Sequence, residues 1–344
     1  MYIKDMEKTH CITTGIGSLP LTDVEEACRL VLECGIGIPF WPQLPKRGFR
    51  ELMIPQFSEG MPGVNLDEVK ERIWVDMGDS RDEVVYRFFE NFLNEDPSLF
   101  SISEGYAAGL KRFMELLEGR HYDYLKGQIT GPITFTLGLA DNNRRAIYYE
   151  EELRDIAVKL LCRKAEWQIE LLSSYADKVI IFIDEPMLSA FGSSSYIGVE
   201  STAVMNAIDE IVNAIHQKEG VAGIHCCGNT DWSIITSTEV DIINFDAYHF
   251  MGSITIYPDA IRGFMERGGI LAWGIVPTSK DIINEDANTL KVRIDEGMRL
   301  FESSGISKEL LESQCLITPS CGTGSMEIDD ARKVFSVLVE LSRK

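Results

Sequence analysis

The sequence predicts a closed (β/α)8 TIM barrel. The reading rests on eight short apolar runs rich in β-formers, helical segments between them, and a length of 344 residues. The apolar runs fall at 11–16, 37–41, 124–129, 179–183, 221–225, 241–245, 270–275 and 315–318. Apolar residues recur at three- and four-residue spacing over 23–33, 82–93, 103–117, 151–175, 202–217, 230–236, 259–266, 288–303 and 329–342. An open doubly wound sheet shares this alternation, but eight units in 344 residues favour closure and one catalytic barrel domain over 1–344. The connection from Pro42 to about Asp96 is long and polar. Its turn signals at Pro45, Pro55 and Met61-Pro62-Gly63 mark it as an excursion over the barrel mouth after strand 2.

Composition narrows the function. Apolar residues make up 45% of the chain, enough for a large core, and no stretch approaches a membrane span. With 54 acidic against 33 basic residues the net charge is −21, a field that repels phosphate backbones and anionic membrane surfaces. Neither nucleic acid nor membrane is therefore expected as a partner. The N-terminal residues lack the apolar segment and cleavage site of a secretory signal, so the expected location is cytoplasmic. Eight cysteines in such a chain are read as thiols rather than a disulfide framework.

Catalytic groups of such barrels collect where strands end, so the residues just past each run carry the functional reading. The first run leads into Gly15-Ile16-Gly17-Ser18-Leu19-Pro20, and the third into Gly131-Pro132-Ile133-Thr134. The fourth is followed by Asp184-Glu185-Pro186, the fifth by His225-Cys226-Cys227-Gly228-Asn229, the sixth by Asp246-Ala247-Tyr248 and the eighth by Pro319-Ser320-Cys321-Gly322. His225, Cys227 and Cys321 supply one imidazole and two thiolates, a donor set suited to tetrahedral zinc. Side chains alternate along an extended backbone, so His225 and Cys227 face one way and Cys226 the other. Asp246 is the nearest candidate for a fourth ligand by position, with His249 as the alternative.

Other features have plainer readings. The Gly15–Ser18 segment lacks the lysine and second glycine of a nucleotide loop and is either a tight turn or a substrate contact. Glu59 is either a second ligand for a substrate ammonium or a solvated loop carboxylate. Trp41, Trp273 and Tyr248 either line the mouth or pack in the core or its rim, while His121 and His216, in or beside helices, are structural.

Taken together, Ile16-Gly17-Ser18, Asp184-Glu185-Pro186, His225-x-Cys227, Asp246 and Cys321 resemble, in order and spacing, the catalytic C-terminal barrel of cobalamin-independent methionine synthase. The segment His225-Cys226-Cys227-Gly228-Asn229-Thr230 is also similar to the zinc motif of methylcobamide:thiol methyltransferases in the wider uroporphyrinogen decarboxylase-like superfamily. The resemblance implies a zinc-dependent thiol methyltransferase that makes methionine from homocysteine. It implies zinc on His225, Cys227 and Cys321, with Asp246 where the synthase has Glu, one methylene longer. It further implies that Ile16, Gly17 and Ser18 hold the homocysteine carboxylate, and that Asp184 receives its ammonium group. At 344 residues the chain matches the short single-barrel forms, and its acidity opposes a polyanionic folate tail. The expected methyl donor is therefore methylcobalamin or a methylated corrinoid protein. Two alternatives stand beside this reading: methyl transfer to another thiol such as coenzyme M, and a metal-free decarboxylase of the same superfamily. The chemistry suits the residues independently, because a thiol of pKa near 8.5 is mostly protonated at neutral pH and zinc coordination removes its proton. Two cysteine ligands then keep the metal electron-rich and the bound thiolate nucleophilic.

Overall fold

The structure, a computed structural model, describes residues 11–191 and 198–342. In chain order its strands are β1 (Ile12–Thr13), β2 (Val64–Asp67), β3 (Arg72–Val75), β4 (Tyr122–Thr130), β5 (Ala176–Asp184), β6 (Val221–Cys226), β7 (Ile242–Phe245), β8 (Ile270–Val276) and β9 (Cys315–Pro319). The helices are α1 (Val24–Glu33), α2 (Met53–Ser58), α3 (Arg81–Leu93), α4 (Ala108–Leu116), α5 (Pro132–Gly138), α6 (Glu151–Leu172), α7 (Ser201–Gln217), α8 (Trp232–Thr236), α9 (Ala247–Ile254), α10 (Pro258–Glu266), α11 (Ala287–Ser303), α12 (Lys308–Ser313) and α13 (Ile328–Leu341). Seven strands form one parallel sheet in the order β1-β9-β8-β7-β6-β5-β4, and β2 pairs with β3 in a separate antiparallel hairpin.

The expected second strand, 37–41, closes the ring without forming a regular ladder. Isolated parallel bridges join Ile38 to Thr14, Phe40 to Lys126 and Gln43 to Ser18. The reason lies in the sequence Gly37-Ile38-Pro39-Phe40-Trp41-Pro42, because each proline lacks the N–H a ladder requires. The remaining backbone groups still pair: Lys126 N donates to Pro39 O at 2.9 Å, and Ile38 N donates to Thr13 O at 2.9 Å. Polar side chains reinforce this seam. Trp41 Nε1 donates to Gln168 Oε1, Gln168 Nε2 to the Gln128 carbonyl, and Gln128 Nε2 to the Trp41 carbonyl.

Strand parity divides the core in two. A small inner cluster includes Ile16, Ile38, Ile180, Phe182, Ile242 and Leu316, while the larger cluster packs between sheet and helices around Trp41, Trp232 and Trp273. The tryptophans at positions 41 and 273 are thus core residues. His121 and His216 make the structural contacts expected of them, to Asp177 and Asp241.

The 42–96 excursion contains α2, the β2–β3 hairpin and all of α3, with Val75 N donating to Ala140 O at 2.9 Å. One sequence-based expectation requires correction: the cysteines are not all thiols, since Cys11 and Cys315 form a disulfide across 304 residues of sequence. These residues flank the registered pair Ile12–Leu316 on neighbouring strands, a proximity that sequence spacing does not carry.

Close packing of α4 against the end of the 37–42 segment yields a stability prediction. A Cβ on Gly109 would overlap the backbone carbonyl oxygen of Pro42, which no side-chain rotation relieves. Helix propensity favours Ala over Gly by about 1 kcal/mol, whereas overpacking against rigid backbone costs about 1–3 kcal/mol or more. Gly109→Ala is therefore expected to lower the urea midpoint of unfolding; an unchanged or raised midpoint would refute this account of the contact.

Candidate metal centre

β6 and β9 are separated in the parallel sheet by β7 and β8, and the residues at their ends converge. One donor atom each from His225, Cys227 and Cys321 lies within 4.8 Å of the others. His225 closes the inward-facing row of β6 and is 3% exposed, while Cys227 and Cys321, past the strand ends, are partly exposed. Cys226 points the other way, as parity requires. It is fully buried in the outer core with Sγ near Gly228 O at 3.6 Å, and burial pushes its thiol up to about 12.

A neighbouring residue orients the imidazole. Asn244, on β7 in register with His225, donates both amide hydrogens elsewhere, to Ala272 O at 2.9 Å and Thr318 Oγ1 at 2.7 Å. Its Oδ1 must therefore accept from His225 Nδ1. That assignment leaves the lone pair on Nε2, a buried atom with no hydrogen-bond partner. An unpartnered imidazole nitrogen beside two sulfurs fits a thiophilic metal ion, and the Asn244 contact is the kind that holds metal-binding histidines in place. The sulfurs form a tightly coupled pair. The neighbouring Cys321 thiol lowers the Cys227 thiol, while Cys321, next to that sulfur, is driven up.

Asp246, the expected fourth ligand, is not part of this group. It caps α9, accepting from His249 N at 2.9 Å through Oδ1 and pairing with His249 Nδ1 at 2.8 Å through Oδ2. Asp246 and the alternative, His249, are thus spent on one another. The carboxylate at 246 is short, and the helix N-terminus directly after it competes for its oxygens.

Asp184 ends β5, in register with Thr130 on β4 and His225 on β6. It is buried, and its Oδ1 has no partner. Burial raises its carboxyl to about 6, against the pull of His225 and Lys126. The adjoining Glu185 is occupied by Ile133 N, Thr134 N and Thr134 Oγ1, which anchors the start of α5.

The Ile16-Gly17-Ser18 turn lies on the other side of the seam. Neither the Gly17 nor the Ser18 backbone N–H has an acceptor among the described residues. The turn is joined to the loop after Cys321, for Thr323 N donates to Ser18 O at 2.9 Å and Gly324 N to Ser18 Oγ at 3.2 Å. Glu59 is engaged elsewhere, its Oε2 accepting from Ser103 N at 2.7 Å. Tyr248 donates to Glu285 Oε1 at 2.8 Å on the rim.

No family model matches the sequence. Over 222 residues the chain is 26% identical to methionine synthase of Methanocaldococcus jannaschii, the match covering 64% of each protein. It therefore spans just under two thirds of that curated relative. Among solved structures, a B12-independent methionine synthase from Shewanella sp. W3-18-1, in complex with selenomethionine, aligns with a TM-score of 0.59 at 16% identity, covering 97% of both chains. The chain resembles the catalytic barrel of methionine synthase. The likeness in three dimensions extends over nearly the whole chain, and with it the closed α/β architecture that the apolar runs predict.

Two residues that contact the residues named above escaped the sequence reading. Asn244 and Lys126 sit inside strands, where a polar residue among apolar ones is the only signal; inward parity, matched to strand ends, could have found them.

Proposed function

We propose that this protein is a zinc-dependent thiol methyltransferase that methylates homocysteine to methionine, with a methylated corrinoid as the donor. The observation that carries the reading is the convergence of two cysteine sulfurs on a buried, oriented histidine whose Nε2 has no hydrogen-bond partner. His225, Cys227 and Cys321 would hold the zinc, which supplies activation of a substrate thiol by removing its proton and keeping the sulfur nucleophilic. With Asp246 committed to α9, three protein ligands leave one position for that thiol.

The remaining residues suit an amino-acid substrate. Asp184, a buried carboxylate with an unpartnered oxygen, receives the ammonium group, and the free N–H groups of Gly17 and Ser18 receive the carboxylate. A sulfonate thiol such as coenzyme M would leave Asp184 unpaired, and this favours homocysteine. The Methanocaldococcus and Shewanella relatives support methionine formation as the reaction. The corrinoid donor is supported by the net charge of −21, which opposes a polyglutamate tail.

The test combines metal analysis with donor and acceptor comparison. The purified protein is expected to contain zinc and to form methionine from methylcobalamin and homocysteine, with little turnover from methyltetrahydrofolate or with coenzyme M as acceptor. Strong folate-dependent turnover by this chain alone would overturn the donor assignment, preferential use of coenzyme M the acceptor, and full activity of metal-free protein the mechanism.

A further inference from the structure

Lys126, in the middle of β4, points into the barrel and is fully buried. Its ammonium donates to the Ile16 carbonyl at 2.6 Å and to Gln128 Oε1 at 3.1 Å. It lies 4.6 Å from the centre of the Phe182 ring and 5.5 Å from that of Phe40. Burying a lysine is costly, and here burial brings the group down to about 7 against the opposing pull of Asp184. A methionine of similar length would fill the same slot without that cost. The position of the charge therefore calls for an explanation other than packing.

The contact with Ile16 supplies one. In a trans peptide the carbonyl and the following N–H point in opposite directions, so holding the Ile16 carbonyl toward Lys126 turns the Gly17 N–H away from it. That N–H is one of the two without an acceptor among the described residues. A side chain at position 17 would collide with Gln43 and crowd Gln128, so the backbone itself forms this surface. The turn is held on its other side through Ser18 by Thr323 and Gly324, just past Cys321. Lys126 and the Cys321 loop thus grip the same three residues.

We propose that Lys126 is a positioning residue for the carboxylate of the thiol substrate, pinning the Ile16-Gly17-Ser18 turn at a set distance from the metal ligands. The inference rests on the thiol methyltransferase reading above. Lys126 acts through the turn, so it governs the substrate's carboxylate and not its sulfur.

Two thiols separate these effects: L-homocysteine, and 3-mercaptopropylamine, which is the same molecule without the carboxylate. Their binding to the cobalt(II)-substituted protein is read by thiolate-to-cobalt absorption, independently of turnover. Lys126→Met is expected to weaken homocysteine at least about tenfold and 3-mercaptopropylamine less than about twofold, with metal content unchanged. Should the Met variant fail to accumulate, Lys126→Gln, which keeps a donor without the charge, carries the same comparison with a smaller selective loss. Equal weakening of both thiols, or of neither, would overturn the role of Lys126. Wild-type cobalt protein that bound neither thiol would overturn the thiol reading as well, and is told apart because it needs no variant.

Discussion

Replacing His225, Cys227 or Cys321 by Ala is expected to remove most of the zinc and nearly all methyl transfer, whereas Cys226→Ala keeps both within a few fold. Three converging donors are the minimum that leaves a coordination position for substrate, and two cannot hold zinc against competing water and thiols. Cys226 is one residue from two of the proposed ligands in sequence but lies on the opposite face of β6, packed in the outer core. Metal content by plasma emission spectroscopy and methionine formation check the result together. The loss should leave the fold standing, because the large apolar core between sheet and helices does not depend on the ion. Retention of zinc by Cys227→Ala alongside its loss from Cys226→Ala would overturn the assignment by strand parity.

Asp184→Asn should reduce kcat/KM for homocysteine by about 10- to 150-fold, or about 1.5–3 kcal/mol, while zinc content stays near that of the wild type. The size of the effect follows from burial. The carboxylate lies among buried groups, its Oδ1 without a partner, so a substrate ammonium would meet it in a low dielectric. Asn keeps the shape and removes the charge. Loss of zinc from this variant would mean instead that Asp184 serves the metal, whereas unaltered kinetics would mean that the ammonium binds elsewhere.

Much of this site is legible in strand ends. Once the chain is read as a barrel, the residues after each strand share one face, and so His225, Cys227 and Cys321 could be grouped across 96 positions of sequence before any coordinate was known. The parity argument for Cys226 needed only the two-residue repeat of an extended chain. The second strand was legible as to place but not as to form. Its apolar run marks where the ring closes, while Pro39 and Pro42 withhold the donors of a regular ladder and leave bridges and a glutamine network in its stead.

Chain position and the family resemblance both put Asp246 beside the triad, and the structure places it elsewhere. The competition that decides its role, between a metal and the N–H groups at the start of α9, depends on where the helix begins and on how far one short side chain reaches.

By itself, then, the sequence determined the barrel, its acidic surface and the three sulfur and nitrogen donors, because these follow from local periodicity, composition and residue chemistry. Only the tertiary structure decided which nitrogen of His225 faces the sulfurs, since that depends on Asn244 one strand away and on where Asn244 sends its own hydrogens. It likewise decided that Cys11 meets Cys315 and that Lys126 reaches the Ile16 carbonyl. Such contacts join residues far apart in the chain, and the closure of the sheet that brings them together is a property of all eight strand positions at once.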